Sequence, residues 1–402
     1  MINKKFVKIF LSKLINGILF FNYFFFKIFG IKFLIVKIYS ERIGHMAVLT
    51  DHFFRKEKFN KSKKIFIAIS QKNVANEFLI KLIKEKIITL KLPLAIFNFL
   101  CWSFKGKVFF KDTAGKDLYS DYETFNLIDK SLSINNDDKL TASKLLSCCG
   151  IKEHDWYVCF HNRTSKYLSD YDKHLYGHKV NFSYHDFRDS RVCTYKEALE
   201  YIIEKGGYVI RVGHDSGEDL DFIKNKDKVL DFSKEKRSDF MDIYLSSSCK
   251  FFLGGNAGIS VIPYIFDKPL LLTNYTPIFV SPSPKINSKS IPSLIWCDNK
   301  KRYLHFNEIF QSDIWKFGSI NQFKEKNLRV IPNINEDILS ACKEMFHFLE
   351  NNNYHRDLQK KTKHIKEKFN QILPIEHPGK NKKEYLNVIC NSFYIRYSEL
   401  IL

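Results

Sequence analysis

From Cys249 the chain runs through an apolar stretch, Phe251-Phe252-Leu253, into Gly254-Gly255-Asn256-Ala257-Gly258-Ile259-Ser260, and on to a second apolar stretch, Leu270-Leu271-Leu272. A buried strand, a glycine turn, a short helix and another buried strand form the unit of a parallel sheet covered on both faces. At such a turn the first strand ends beneath a helix N-terminus, where backbone N–H groups and the dipole favour a phosphate or diphosphate. Gly254, Gly255 and Gly258 are expected to let the backbone approach a ligand, while Asn256 and Ser260 add side-chain donors. The same turn also serves as a plain tight corner. Pro263 either kinks the helix or marks its proper start.

The same grammar extends in both directions. Trp156–Phe160, Gly207–Gly213 and Lys228–Ser233 read as strands, with helices opened by a capping box at Thr194 and Glu197 and running from Ser238 to Ser247. Upstream, Phe33–Tyr39 and Lys64–Ser70 read as strands, Met46–Lys56 as a helix, and Val74 to Ile87 carries a helical apolar stripe. Leu90 to Thr141 is less regular. Strand and helix alternating in this way specify a doubly wound α/β fold. A chain of 402 residues, 45% apolar, has room for two cores. The break near Glu153–Asp155 divides it into residues 1–32, an N-terminal segment; 33–153 and 154–335, two α/β domains; and 336–402, C-terminal helices. Prolines 277, 282, 284, 292 and, later, 332 are expected to carry the segment after Asn274 over the surface.

Residues 1 to 40 hold seven lysines and no acid, interleaved with Phe, Ile and Leu. The apolar core Leu14–Phe26, about 20 Å as a helix, falls short of roughly 30 Å of hydrocarbon. Lys5, Lys8, Ser12 and Asn16 share one helical face, and Phe6, Phe10, Leu14, Ile18 and Phe21 lie opposite. An in-plane amphipathic anchor is expected; a buried or spanning helix and a signal peptide are the alternatives. The net charge of +20 suits an acidic partner such as a nucleotide-sugar or anionic lipid. Lys360–Lys368 reads as a solvated helix face, and nucleic acid is not expected as a partner. Nine cysteines without a C-x-x-C pair fit a reducing, cytoplasmic setting.

Loops after parallel strands are where ligands sit, which makes Arg42, His45 and Asp51 candidates after the first strand and His161 and Arg163 after Trp156–Phe160. A long loop follows, rich in Tyr, His and Asp, and includes Tyr184, His185, Asp186 and Arg188. Histidines 174, 178 and 185 fix no ligand geometry, and no metal or cofactor is expected. Asp170-Tyr171-Asp172 and Asp219-Leu220-Asp221 read as surface acids.

Arg42-Ile43-Gly44-His45 with Asp51, His161-Asn162-Arg163 with Tyr184 to Asp189, and Tyr208 to Gly213 leading to Leu253 to Ser260 together resemble a bacterial glycosyltransferase family of surface-polysaccharide gene clusters. The likeness covers roughly residues 35 to 300. It implies two Rossmann-like domains facing a cleft, the GT-B arrangement, with the nucleotide-sugar donor in the second. His161-Asn162-Arg163 also resembles the His-x-Arg element of fucosyltransferase-like enzymes, whose arginine contacts the donor diphosphate. Asp51 and Ala257 depart from the family's Glu and Ser or Thr.

Glycosyl transfer requires stabilisation of the leaving nucleoside diphosphate, an acceptor for the hydroxyl proton, and exclusion of water. Arg163 and the turn Gly255, Asn256, Gly258, Ser260 are the expected diphosphate ligands, with His161 orienting the donor and Arg211 as a further candidate. His45 or Asp51 is the expected base and Asp186 the alternative; Arg42, Tyr184 and Arg188 are substrate-binding candidates. The acceptor would be a glycan or lipid-linked molecule at the inner face of the cell membrane. A sugar-nucleotide epimerase and a non-catalytic protein binding membrane or polyanion are the rival readings.

Overall fold

The structure, a computed structural model, describes residues 4–58, 63–114, 118–167, 181–234, 236–276, 278 and 282–402. Asp170, Asp172, His174, His178 and Pro277 lie outside the described residues. The chain divides into two compact units, Met1–Lys116 with Lys130–Ser133, and Asp117–Asp129 with Ile134–Leu402. The division near residue 153 is thus displaced. Helix Asn136–Cys148 belongs with the second unit, where the Tyr208 hydroxyl donates to Gly150 O at 3.2 Å. The C-terminal helices belong there too.

The first unit carries β1 (Ile31–Lys37), β2 (Lys63–Gln71), β3 (Ile88–Leu92) and β4 (Phe110–Asp112), all parallel in the order β3-β2-β1-β4. Its helices are α1 (Lys4–Ile28), α2 (Ile43–Lys58), α3 (Glu77–Lys84) and α4 (Leu94–Phe104). Alternation along β1 sends Phe33 and Ile35 to one face, where they meet Ile69, Phe97, Phe104 and Phe109 in a buried core. Ile15, Leu19, Tyr23 and Phe26 of α1 cover that core. The N-terminal segment is therefore part of the first unit's packing. Of its polar stripe, Lys5 and Lys8 are exposed, whereas Ser12 and Asn16 face inward: Ser12 Oγ lies 2.8 Å from Ser103 Oγ of α4, and Asn16 Nδ2 donates to Ser103 O at 3.1 Å.

The second unit carries β5 (Tyr157–His161), β6 (Tyr208–Arg211), β7 (Val229–Asp231), β8 (Phe252–Gly254), β9 (Leu270–Tyr275) and β10 (Lys289–Pro292). They are parallel in the order β10-β9-β8-β5-β6-β7, which reverses direction between β5 and β8. Val158, Cys159 and Phe160 are fully buried, as a central strand covered on both faces requires. Ser238 caps the helix Asp239–Ser248 by accepting from Met241 N at 3.1 Å. The expected Thr194 capping box does not form. Val192–Tyr195 is a 3₁₀ turn in which Thr194 Oγ1 donates to Arg191 O at 2.7 Å, so the helix begins at Lys196.

Up to Pro292 the proline segment is not a surface excursion, whereas Pro332 is exposed. Pro282, Pro284 and Pro292 are buried; Lys285 holds the region in place by donating to Phe125 O at 2.7 Å and pairing with Asp267 at 2.8 Å. Within Lys360–Lys368, Lys366 is also buried, donating to Asn387 Oδ1 at 3.0 Å, and burial lowers its pKa to about 8.

Candidate functional site

Ligands of open parallel sheets sit outside the carboxyl ends of the strands, where the strand order reverses. In the second unit that point lies between β5, which ends at His161, and β8, which ends at Gly254. His161 and Gly254 are register partners, and Gly255 N donates to His161 O at 3.2 Å. A Cβ on Gly254 would lie 2.6 Å from His161 O, so strand contact demands this glycine. A Cβ on Gly255 would meet the Tyr195 hydroxyl at 3.7 Å and Arg163 Cβ at 3.9 Å, ordinary contacts, so the surrounding protein does not itself require that glycine.

The turn differs from expectation. A 3₁₀ turn, Gly258–Val261, runs into a four-residue helix, Ile262–Ile265, with Pro263 at its second position. So short a helix has little dipole. Ser260 Oγ donates to Gly255 O and Asn256 Nδ2 to Thr276 O, both at 2.7 Å, so these side chains brace the turn. Gly258 presents its backbone to solvent.

Arg163 stands beside this turn, 6% exposed. Its Nη1 donates to Asp189, whereas Nη2 is buried with no hydrogen-bond partner among the described residues. Desolvation lowers its pKa to about 10, opposed by the charge of Asp186, so the guanidinium stays cationic at neutral pH. Asp186 Oδ1 is likewise buried without a hydrogen-bond partner among the described residues. Asp186 belongs to the 3₁₀ helix Ser183–Arg188, with half-buried Tyr184, whose ring lies 3.9 Å from that of His185, and half-buried Arg188. The fold thus brings together Arg163, Asp186 and Asp189.

His161 Nδ1 lies 2.9 Å from Val212 O. A carbonyl can only accept, so Nδ1 carries the proton and Nε2 keeps its lone pair. Burial, with smaller effects from Arg211 and Arg163, lowers the pKa to about 4 against the pull of that carbonyl. A neutral ring with a lone pair is suited to accept from a hydroxyl. Gly213, at φ +86°, makes room: a Cβ there would sit 2.9 Å from His161 Nδ1. Asp242 accepts from Gly213 N at 2.8 Å, and its burial raises its pKa to about 6 despite Arg237.

Arg211 is corrected to a bracing role. It is 1% exposed, and donates to Glu218 O at 2.5 Å, to Asn162 Oδ1 at 2.9 Å and to Ser216 Oγ. Glu218 Oε2 accepts from Asn162 Nδ2 at 2.8 Å and Val192 N at 3.0 Å, tying three loops together beneath Arg163. Sequence reasoning missed Glu218, and also the buried Tyr195 hydroxyl, which meets Thr273 Oγ1 at 2.6 Å and Asn274 Nδ2 at 3.1 Å. The polar Thr-Asn ending of an otherwise apolar strand was the available signal.

In the first unit, Asp51 is fully buried, paired with Arg55 at 2.6 Å and accepting from Ser131 N at 3.3 Å. A carboxylate committed to an internal ion pair is removed from the candidates for catalytic base. His45 is exposed on α2, and half-buried Arg42 precedes it. Desolvation by neighbouring atoms, then the Arg42 charge, holds the His45 pKa below 6.5. At the reversal between β1 and β4, the Tyr39 hydroxyl donates to Asp112 at 3.0 Å with Lys37 Nζ 3.8 Å from the Tyr39 ring centre, a cluster the sequence did not reveal. Among the described residues no three His, Cys, Asp or Glu side chains gather as a metal site.

No protein-family model matches the chain, and no curated protein sequence does. Among solved structures, the glycosyl transferase family 9 protein of Veillonella parvula is 12% identical with a TM-score of 0.43, covering 64% of this chain and 85% of its own. The Escherichia coli ADP-heptose lipopolysaccharide heptosyltransferase II is 11% identical with a TM-score of 0.38, covering 64% and 90%. E. coli heptosyltransferase WaaC with ADP is 10% identical with a TM-score of 0.33, covering 64% and 90%. Likeness this distant decides nothing about activity.

What remains is the chemistry of the second unit's switch point. A buried guanidinium whose Nη2 has no hydrogen-bond partner among the described residues, near a neutral imidazole lone pair, can hold an anion and a hydroxyl.

Proposed function

We propose that the second unit binds the diphosphate of a nucleotide-sugar, and that the chain transfers the sugar to a glycan or lipid-linked acceptor in surface-polysaccharide synthesis. The buried Nη2 of Arg163 at the switch point, without a hydrogen-bond partner among the described residues, carries this reading. A departing nucleoside diphosphate develops negative charge, and a fixed guanidinium in a water-poor site stabilises it without reorganising. Arginine grips two phosphate oxygens at once, which lysine does not. The backbone of Gly255 to Ser260 flanks the phosphates, and the His161 lone pair accepts from a sugar hydroxyl and orients the donor. Tyr184 and Arg188 serve substrate recognition from the element that carries Asp186.

In the first unit, His45 is the group suited to take the acceptor's proton, since its depressed pKa leaves it neutral near pH 7; Asp186 is the alternative. Two parallel-sheet α/β units are the make-up of a GT-B transferase. The free cysteines agree with a cytoplasmic setting, at the membrane's inner face, where nucleotide-sugars meet lipid-linked acceptors. Transfer is expected to proceed without metal: activity should persist in EDTA, and a loss reversed by magnesium would overturn that clause.

The first test is thermal stability with UDP-, GDP-, CMP-, dTDP- and ADP-sugars. Ligand at about 100 times its dissociation constant adds about 2.7 kcal/mol. A shift with one nucleotide, abolished in Arg163→Ala, is the expected result. No shift with any of them, or an equal shift in the variant, overturns the assignment of the site.

A further inference from the structure

We infer that the outer face of α1, continued by α4, lies flat in a membrane leaflet containing anionic lipid, holding the first unit as an in-plane membrane protein. By length and composition alone α1 could cross a bilayer: an 18-residue stretch within Lys5–Ile28 has a mean hydropathy of 1.6, and 25 residues span about 37 Å. Its packing argues otherwise. Ser12 and Asn16 are bonded to Ser103 of α4, and Ile15, Leu19, Tyr23 and Phe26 cover the sheet's core. A crossing helix surrounded by lipid would strip that core bare and leave the buried Ser103 without these partners.

The face left outward is apolar. Phe10, Leu14, Ile18 and Phe21 are 52 to 69% exposed, and only 6% of the apolar window of α1 is buried. These four residues, with Lys13 and Gly17, line a shallow groove. On α4, Leu94, Ile96 and Trp102 are 41 to 51% exposed. Exposed apolar side chains gathered along one face of α1 mark an interaction face.

Charge selects the occupant. Lys5, Lys8, Lys13 and Lys27 are exposed, and no acidic residue precedes Glu41. Lys8 Nζ lies 4.4 Å from the Trp102 ring centre, bringing a cation and an interface-seeking indole to one place on the face. A basic rim around an apolar face complements an anionic lipid surface. The helix docks with Ser12 and Asn16 on its own protein, Lys5, Lys8, Lys13 and Lys27 exposed, and its apolar half in lipid. This inference concerns the first unit alone and is independent of nucleotide binding.

The test uses the full-length protein in flotation with phosphatidylcholine vesicles, with and without phosphatidylglycerol. A triple variant, Leu14→Glu, Ile18→Glu and Phe21→Glu, changes exposed side chains only, and circular dichroism checks its fold. Flotation with the anionic vesicles, reduced about ten-fold or more in the variant, is expected. Lipids brominated near the headgroup should quench Trp102 fluorescence, and Trp102→Phe should remove that quenching. Failure to float, or flotation equal in the variant, overturns the inference. Flotation without Trp102 quenching also overturns it, because α1 then enters the bilayer without α4. A mature protein shown by mass spectrometry to lack residues 1–30 does the same.

Discussion

Arg163 and His161 stand two residues apart at one strand end, yet burial acts on them with different results. The guanidinium's intrinsic pKa is so high that desolvation to about 10 leaves it charged, whereas the imidazole, lowered to about 4, is neutral. Arg163→Lys keeps the charge but loses the fork, and should weaken nucleotide-sugar binding about ten-fold or more by calorimetry, a loss of charged hydrogen bonding of roughly 1.5–3 kcal/mol. His377 supplies a pH prediction. Its Nε2–H donates to Ile278 O at 2.8 Å while Nδ1 accepts from Gly379 N at 3.0 Å, so protonation of Nδ1 breaks a buried bond. Burial lowers its pKa from 6.5 to about 4, so the unfolded chain takes up this proton first. The associated stability is present above pH 6.5, falls as pH drops, and by pH 4 has fallen by roughly 3 kcal/mol. The melting temperature should decline over that window, and less steeply in His377→Gln.

At the scale of elements, the loop after β6 depends on Gly213. Gly213→Ala adds both a φ penalty and a 2.9 Å clash with His161, while Gly206→Ala, at φ +88° with nothing within 4 Å, adds the φ penalty alone. Chemical denaturation should show about 1 kcal/mol lost for Gly206→Ala and more for Gly213→Ala, with donor binding reduced only in the latter. The alternation of strand and helix from residue 156 to 274 was legible because apolar runs of strand length are bounded by glycine and by capping residues. The inward side of α1 was not. Helical periodicity separates two faces but does not say which meets protein, and the partner that decides it, Ser103, is 91 residues away from Ser12. Arg211 misled for the same reason: a basic residue at a strand end looks like a ligand group until Ser216 and Glu218 of the following loop and Asn162 of another converge on it. Asp51 and Arg55 were readable as an i,i+4 pair, but their complete burial was not.

For the molecule as a whole, the chain passes between its two units more than once, which is why no single cut divides it. Residues 117–129 belong to the second unit, where Phe125 is fully buried with its ring 6.0 Å from Tyr264, and Asn126 Nδ2 donates to Pro284 O at 2.8 Å. A fragment of residues 154–402 should therefore be unstable or aggregate, whereas 117–402 should melt cooperatively by calorimetry; equal behaviour would contradict this division. The segment 130–133 returns to the first unit, where Ser131 N meets the buried carboxylate of Asp51, 80 residues earlier in sequence. During synthesis, Asp51 leaves the ribosome long before this partner does. At about 5–20 residues per second, α2 waits roughly 4 to 16 s for it. The first unit is thus begun first but finished late, and a chain stalled before residue 131 holds a half-satisfied charge pair in an unfinished core.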